Sequence, residues 1–471
     1  MKHVLTSNIK PMVIVLNIFT ILFLYMFTGH LATHILFTVL SVVSLIYLRN
    51  KELRYWYLYL VGLLVSVLSI LLVYYANMNS HGNPYYIGGS DDATYERLAY
   101  QTYLLGIKDP SLIPGLIIDI HGVGSMYYII LAHLVTFGKW FDGFSTWMPR
   151  VLNIFLLIWT SWILFDLFGL INQKVGYITS MIFICFPLVQ YVNSHVFRDT
   201  LNLFLIFWLV WLVRKLIDVL AKIQIKKVVF ALIYVLGVVL ATYMLYHLRR
   251  NSLIYPVGIL GFMLFDRIKI RAFTFITRLY KSKKIVFTAY IVTILVVCAI
   301  SLYAISKVVN LAYYIEFYTQ YKQNQGSEGL SQFVYGAPII PIGIFLRFFY
   351  AFISPFPFLN RILAGLKGLN VDTWMNLQTL GVGIVYMSMP YVIARVRKFD
   401  WVSNSFLLIF LSIIVTTFTF RHMIFYLPFL LFMAIDEFKS VSWSQRKIYL
   451  IDSTIVLLVL MVVYIGLKVV V

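Results

Sequence analysis

Long runs of apolar residues recur along this chain and limit what it can fold into. Residues 11–27 read "PMVIVLNIFTILFLYMF", and residues 285–305 read "IVFTAYIVTILVVCAISLYAI". A helix of about 20 apolar residues crosses a hydrocarbon core about 30 Å thick. The chain is 61% hydrophobic and 12% charged, whereas soluble domains carry about 25% charged residues. The sequence therefore predicts an all-α polytopic membrane protein.

The apolar runs predict a bundle of about 13 transmembrane helices. They lie near residues 11–28, 31–48, 55–76, 147–168, 176–193, 199–213, 228–246, 253–265, 285–308, 378–394, 401–420, 422–438 and 449–470. These runs and their connections divide the chain into five regions. The regions are 1–76 (N-terminal transmembrane helices), 77–146 (first large loop), 147–308 (central bundle), 309–377 (second large loop) and 378–471 (C-terminal transmembrane helices).

The two large loops are rich in aromatic residues and proline, which is unlike disordered segments. We expect them to carry short helices that lie on the membrane surface. Residues 338–357 contain four prolines and, in mid-run, Arg347. Proline and arginine suit an interfacial or re-entrant helix better than a span in lipid.

Basic residues concentrate in alternate connections between the predicted spans. One such set contains Arg49, Lys51, Arg54, Arg214, Lys215, Lys222, Lys226, Lys227, Arg395, Arg397 and Lys398, together with the basic residues from Arg267 to Lys284. Because cytoplasmic loops carry an excess of Lys and Arg, we predict a cytoplasmic N-terminus and extracytoplasmic large loops. The protein is then a multi-pass protein of the cytoplasmic (inner) membrane. The net charge of +20 comes without a nucleic-acid-binding motif, so we predict no nucleic-acid partner.

An acidic pair stands in the first large loop, within "GGSDDATYERLAY" (residues 88–100). Ser90 suits a helix N-cap, and Asp91 and Asp92 would then occupy the first turn, where negative charge meets the helix dipole. The pair can simply begin a helix in this way. Alternatively, one carboxylate acts as a general base that takes a proton from an acceptor hydroxyl. The dipeptide alone leaves both interpretations open.

Further ionisable residues fall at the predicted outer face. With the acidic pair they are His195, Arg198, Asp199, His247, Arg249, Arg250, Arg421 and His422. A charge at the centre of a span costs about 2.5–3.5 kcal/mol, so such groups persist where they pair, face water or bind a ligand. Arginine matches the geometry of phosphate oxygens. A zinc site from His195, His247 and His422 has no close ligand spacing to support it.

The order of these motifs resembles a known family. The acidic pair is followed by Tyr95, Leu98 and Ala99, then by "MYYIILAHLVTFG" (126–138), "PRVLNIFLLIWTSWILFDLFG" (149–169) and "FPLVQYVNSHVFRDTLNLFLIFW" (186–208). This arrangement resembles the polyprenyl-phosphate-dependent glycosyltransferases of the GT-C superfamily, in particular relatives of the protein O-mannosyltransferases and aminoarabinose transferases. The likeness is most specific over residues 85–210. The chain departs from the family at His121 and Gly122, where a Pro-Pro-Leu element is common, and this bears on the acceptor.

The resemblance implies a GT-C-like bundle and a transferase of the cell envelope, working in polysaccharide or glycoconjugate assembly. A sugar would move from a polyprenyl-phosphate-linked donor to a hydroxyl of a glycan, lipid or protein on the extracytoplasmic face. Membrane lipids would surround the protein as further partners. The implied catalytic residues are Asp91, Asp92 and Asp199. We assign donor phosphate binding to Arg249, Arg250, Arg347, Arg421 and His422, and substrate binding to Tyr95, His121 and His247.

The resemblance requires no cofactor and leaves a divalent metal open, since relatives differ in using one. Tyr85, Tyr86, Trp147 and Trp374 are candidates for stacking on sugar rings. The nearest alternative is a repeat-unit polymerase of an exported polysaccharide, with which "YHLRRNSLIYP" (246–256) is compatible. A lipid-linked sugar flippase or a transporter predicts charged residues at the bilayer midplane and paired broken helices, and the sequence has neither pattern.

Overall fold

The computed structural model describes residues 2–86, 91–106, 126–220, 228–279, 334, 342–353, 371–416 and 420–470. The chain divides into two compact units. Unit 1 comprises Met1–Leu253 and Pro357–Ile384, and unit 2 comprises Ile254–Phe356 and Val385–Val471. Throughout the described ranges the regular secondary structure is helical and no strand occurs. The fold is therefore that of an all-α membrane protein, as predicted.

We number the α-helices in chain order. Those of unit 1 are α1 (Lys2–Thr28), α2 (Leu31–Leu48), α3 (Leu53–His81), α4 (Asp91–Leu104), α5 (Met126–Lys139), α6 (Trp147–Phe168), α7 (Gln173–Cys185), α8 (Pro187–Asn193), α9 (Asp199–Leu220) and α10 (Val228–Arg249). Those of unit 2 are α11 (Ile254–Leu279), α12 (Ile344–Ile353), α14 (Trp401–Thr416), α15 (Met423–Ser440) and α16 (Trp443–Val470). Helix α13 (Val371–Val396) has residues in both units.

Helix α6 forms the centre of unit 1. It is apolar on all sides, and 83% of its most hydrophobic stretch is buried inside the protein. It packs against α2, α3, α7 and α9, as expected for a helix without a polar face. Gly176 on α7 permits one of these contacts, because an added Cβ would come within 2.8 Å of the backbone nitrogen of Gly169.

Helix α10, in contrast to α6, has few buried residues. Only Ala241, Leu245 and Leu248 are buried along it, and large apolar side chains such as Leu236 are 68% exposed. A soluble monomer rarely exposes an apolar surface of this extent. In a membrane the acyl chains of lipids cover it.

The predicted span 176–193 is broken in the structure. Helices α7 and α8 meet at Phe186 and Pro187 with a bend of 55°. Proline lacks a backbone N–H and disfavours helical geometry in the preceding residue, and Phe186 is extended, with ψ of 125°. The break directs α8 and the following turn toward the start of α6.

Among the helices of the described residues, 5 qualify as membrane spans by length and composition, or 6 if the bent pair is one span. They are Ile9–Thr28, Leu31–Leu48, Leu53–His81, Trp147–Phe168 and Val228–Ile268, with Gln173–Cys185 and Pro187–Asn193 as the bent pair. The predicted spans 378–394 and 401–420 correspond to shorter apolar helices, Gly381–Val396 and Trp401–Ile414. The predicted span 285–308 lies outside the described residues. The count of 13 stays a prediction.

In unit 2, α14 packs against α11, α12 and α15. Arg395 at the end of α13 bonds Asp400 at 2.5 Å and Asp436 at 2.7 Å. Burial alone would raise the pKa of Asp400, but its hydrogen bond with Arg395 and the backbone bond from Ser403 lower it overall. Of the predicted surface segment 338–357, residues 342–353 are described.

Candidate active site at one end of unit 1

The acidic pair begins helix α4. Asp91 and Asp92 form its first turn, which confirms the predicted helix start, while the predicted N-cap Ser90 lies outside the described residues. Asp92 is fully buried, and Asp91 is partly exposed. The carboxylate of Asp92 accepts hydrogen bonds from the backbone N–H of Tyr86 at 2.8 Å and of Ala93 at 3.1 Å. The two carboxylates thus differ in burial and in hydrogen bonding, and Asp92 holds the backbone that leads into the helix.

His195 lies beside Asp92, in the turn between α8 and α9. It is fully buried, and the rings of Tyr191, Phe197 and Tyr86 surround it at centroid distances of 4.7, 5.0 and 5.5 Å. Its Nδ1 is 3.6 Å from an Asp92 oxygen, which is longer than an ordinary hydrogen bond. Burial lowers the pKa of His195, with Asp92 partly opposing the shift. The ring is therefore neutral near pH 7.

Arg150 holds the neighbouring segments together, and sequence reasoning missed it. Its guanidinium is 1% exposed and donates to the carbonyls of Ser194 at 3.1 Å, Pro84 at 2.9 Å and Thr146 at 2.7 Å. These bonds join the start of α6 to the α8–α9 turn and to the chain that follows α3. An arginine in the first turn of an otherwise apolar span is the signal that would have found it.

Glu96 and Tyr85 form a second polar contact near Arg150. The Tyr85 hydroxyl donates to Glu96 Oε2 at 2.7 Å, so α4 is tied to the segment that precedes it. Burial raises the pKa of Glu96, and Arg150 partly offsets that shift. Tyr85, one of the sequence candidates for stacking on sugar, thus uses its hydroxyl in an internal bond.

Asp199 and Arg249 meet from separate helices. Asp199 is 3% exposed in the first turn of α9, and its Oδ1 is 3.8 Å from an Arg249 nitrogen in the last turn of α10. Arg249 retains 20% exposure. The predicted catalytic carboxylate and one predicted phosphate-binding arginine are thus adjacent.

Adjacent tyrosines on α5 connect this pair with the acidic helix. Burial raises the pKa of Tyr128; Tyr95 and Asp91 raise it further, and Arg198 lowers it. Burial also raises the pKa of Tyr127, with Asp199 among the charges that act on it. The charges of Asp91 and Arg198 thus act on the Tyr128 hydroxyl, and that of Asp199 acts on the Tyr127 hydroxyl.

The other predicted residues of unit 1 occupy different surroundings. Tyr95 is 7% exposed and contacts the rings of Tyr127 and Tyr128. On α10, His247 contacts the ring of Tyr243 at a centroid distance of 4.5 Å, and Arg250, in the 3₁₀ helix Arg250–Leu253 that follows, lies over Tyr246 at 5.3 Å. Trp147 is buried and stacks on Tyr74, so it supports the core. His121 lies outside the described residues.

The remaining predicted phosphate-binding residues belong to unit 2. Arg347 is 2% exposed on α12. Arg421 and His422 stand in a 3₁₀ helix, Phe420–His422, which immediately precedes α15. The ring of His422 lies 6.2 Å from that of Phe425.

Metal ligands do not gather in the part of the chain that the structure describes. Within that part, no three His, Cys, Asp or Glu side chains lie together in a way that could hold an ion.

Comparison with known proteins leaves the chain without a named relative. No protein-family model matches it, and neither a curated protein nor a solved structure matches it.

Proposed function

We propose that this protein is an integral-membrane glycosyltransferase that moves a sugar from a polyprenyl-phosphate donor to a hydroxyl acceptor. The observation that carries the proposal is the grouping of Asp91, Asp92, His195, Asp199 and Arg249 at one end of unit 1. They come from distant parts of the sequence. The grouping combines carboxylates with a partly exposed arginine, the elements that transfer from an anionic leaving group requires.

Asp91 is the general base in this proposal. Asp92 is buried and accepts two backbone hydrogen bonds, so it serves to position α4. Asp91 remains partly exposed in the same first turn and can meet an acceptor from outside. Its carboxylate takes the proton of the acceptor hydroxyl, whose oxygen attacks the anomeric carbon as the bond to the donor phosphate breaks. The configuration at that carbon is inverted.

Arg249 stabilises the charge on the departing phosphate. Its separation of 3.8 Å from Asp199 is longer than a charge-assisted hydrogen bond of about 2.7–2.9 Å. Arg249 retains 20% exposure, so a phosphate from outside can reach its guanidinium. Within unit 1, Arg250 also serves the phosphate and His247 contacts substrate, whereas the roles of Arg347, Arg421, His422 and His121 stay predictions from the sequence.

The finer architecture belongs to the proposal as well. A GT-C-like bundle of about 13 spans, a cytoplasmic membrane and an outward-facing site agree with the basic loops and with the apolar helices. This arrangement gives the lipid-linked donor and an exported acceptor access to the same membrane face. A divalent metal is not assigned.

The test is a transfer assay with purified protein in lipid nanodiscs. A short polyprenyl-phosphate sugar and hydroxyl acceptors should give products that carry one added sugar, detected by mass spectrometry. Transfer of whole blocks from pyrophosphate-linked chains would instead identify the repeat-unit polymerase. The absence of either product over a broad panel of donors would contradict the proposal.

A further inference from the structure

Unit 1 contains an apolar groove between helices α2, α6 and α9. It encloses about 260 Å³, and its walls include Tyr47, Trp159, Trp162, Trp208 and Trp211. About 18 Å of helix α9 separates Asp199 from Trp211. The groove thus lies toward the other end of the bundle from Asp91 and has no part in the proposed transfer.

Three of the four tryptophans in this groove use their indole N–H in hydrogen bonds inside the protein. Trp159 donates to Ser44 at 3.0 Å, Trp162 to the carbonyl of Tyr55 at 3.2 Å, and Trp211 to Asp166 at 2.8 Å. An indole has a single N–H donor. These three rings therefore present only apolar faces and edges to a ligand, which suits an acyl chain.

Lysines stand at the end of the groove. The ammonium of Lys51 lies 4.5 Å from the ring centroid of Tyr47, and that of Lys215 lies 5.5 Å from the ring of Trp211. Both rings belong to the groove wall. The cations thus come from α9 and from the connection between α2 and α3, on two sides of the same opening. An apolar groove with positive charge at one end complements an acyl chain with an anionic headgroup.

We propose that this groove binds an anionic phospholipid, with an acyl chain between the tryptophans and the phosphate at Lys51 and Lys215. Phosphate is the group that lysine binds as a point charge. The apolar surface of Val43, which is 49% exposed at the groove, gives the chain access from the bilayer. Bound lipid would fasten α2 to α9 across α6 and so stabilise unit 1. This site is independent of the transfer reaction.

The experiment measures thermal unfolding of the full-length protein in a neutral detergent. Short-chain phosphatidylglycerol is titrated against phosphatidylcholine of the same chain length and against glycerol phosphate. We expect the Tm to rise at the lowest concentration with phosphatidylglycerol. Equal effects of the two lipids, or an equal effect of glycerol phosphate, would overturn the proposal.

Variants then separate the headgroup from the chain. Lys51→Gln and Lys215→Gln should each raise the half-saturating concentration of phosphatidylglycerol about fivefold, in line with the known worth of a lysine beside anionic lipid, and leave that of phosphatidylcholine unchanged. Val43→Trp should fill the groove and weaken the effect of both lipids.

The matched control is Lys447→Gln. Lys447 also lies over an aromatic ring, that of Trp443 at 5.8 Å, and Trp443 is not part of this groove. A phosphatidylglycerol response in Lys51→Gln and Lys215→Gln equal to that of the control would overturn the proposal, whatever the stability of the groove variant. Because the readout is lipid binding, the outcome does not depend on whether the protein transfers sugar.

Discussion

Helices α6 and α9 run between two ends of unit 1, and the polar side chains at these ends have different surroundings. At the Asp91 end, three ionisable side chains, Arg150, Asp92 and His195, are almost fully buried. Arg150 donates to the carbonyl of Ser194, beside His195, and His195 lies 3.6 Å from Asp92. At the Lys51 end, the carboxylate of Asp166 accepts hydrogen bonds from the neutral donors Tyr55 and Trp211.

In the two proposals made above, this difference separates the sugar-transfer site at one end of unit 1 from the lipid-binding groove at the other. Several buried charges at one end cost solvation energy, which protein sites accept where charges are used or where they hold a precise geometry. A single carboxylate satisfied by a phenol and an indole leaves the other end apolar enough for lipid. The same two helices thereby support a polar site and an apolar groove.

The largest effect should follow from the substitution Arg150→Met. Loss of the guanidinium leaves the carbonyls of Ser194 and Pro84 without their donor, and breaking a buried charged network costs about 3–5 kcal/mol. We expect a corresponding fall in the free energy of unfolding, measured by titration with denaturing detergent. A loss below about 1 kcal/mol, the level of a surface contact, would show that the polar end is not held by this residue.

A smaller effect should follow from Asp166→Asn at the other end. The neutral amide can accept from Trp211 and donate to the Tyr55 hydroxyl, but it replaces two charge-assisted hydrogen bonds by weaker neutral ones, at about 1–2 kcal/mol. Asp218→Asn is the control, because that carboxylate is 42% exposed and pairs loosely with Arg214 at 3.6 Å. Equal destabilisation by the two substitutions would contradict the central role of Asp166.

The smallest effect concerns pH and Glu96. Its folded-state pKa is raised by burial above the ordinary 4.5, so its contribution to stability is complete below that value and declines as pH rises through the raised pKa. Glu96→Gln remains neutral at every pH and should remove this decline, with little change in acid. Parallel Tm profiles of the two proteins from pH 4 to pH 8 would mean that Glu96 is not the group responsible.

Hydropathy and charge anticipated much of this architecture. Apolar length predicted α2 and α6 at their observed bounds and α3 within about five residues, because a membrane requires a minimum span, whereas α1 begins at Lys2, well before the predicted residue 11. The basic loops also anticipated which residues share an end: Arg214 bonds the carbonyl of Asp166, and Asp92 lies beside His195. Both predictions rest on the lengths of apolar runs and on the placement of charged residues, which a single sequence contains.

Other features were beyond sequence reasoning. The distinct surroundings of Asp91 and Asp92 depend on which carboxylate meets the backbone of Tyr86, a contact that no local pattern predicts. Arg150 had a signal, its place in the first turn of an apolar span, but its acceptors, the carbonyls of Pro84 and Ser194, are backbone groups that no sequence pattern identifies. The bend at Phe186 had a signal in Pro187, but hydropathy runs through it unchanged.

The central claim is that Asp91 performs the chemistry while Asp92 holds the helix, and one measurement tests it most directly. The rate of sugar transfer by Asp91→Asn should be compared with that of wild type, with Asp218→Asn as control and the Tm of each protein recorded. We predict that Asp91→Asn loses about 100-fold or more in rate at an unchanged Tm, whereas the control keeps its rate. Transfer by Asp91→Asn within a few-fold of wild type would contradict the account.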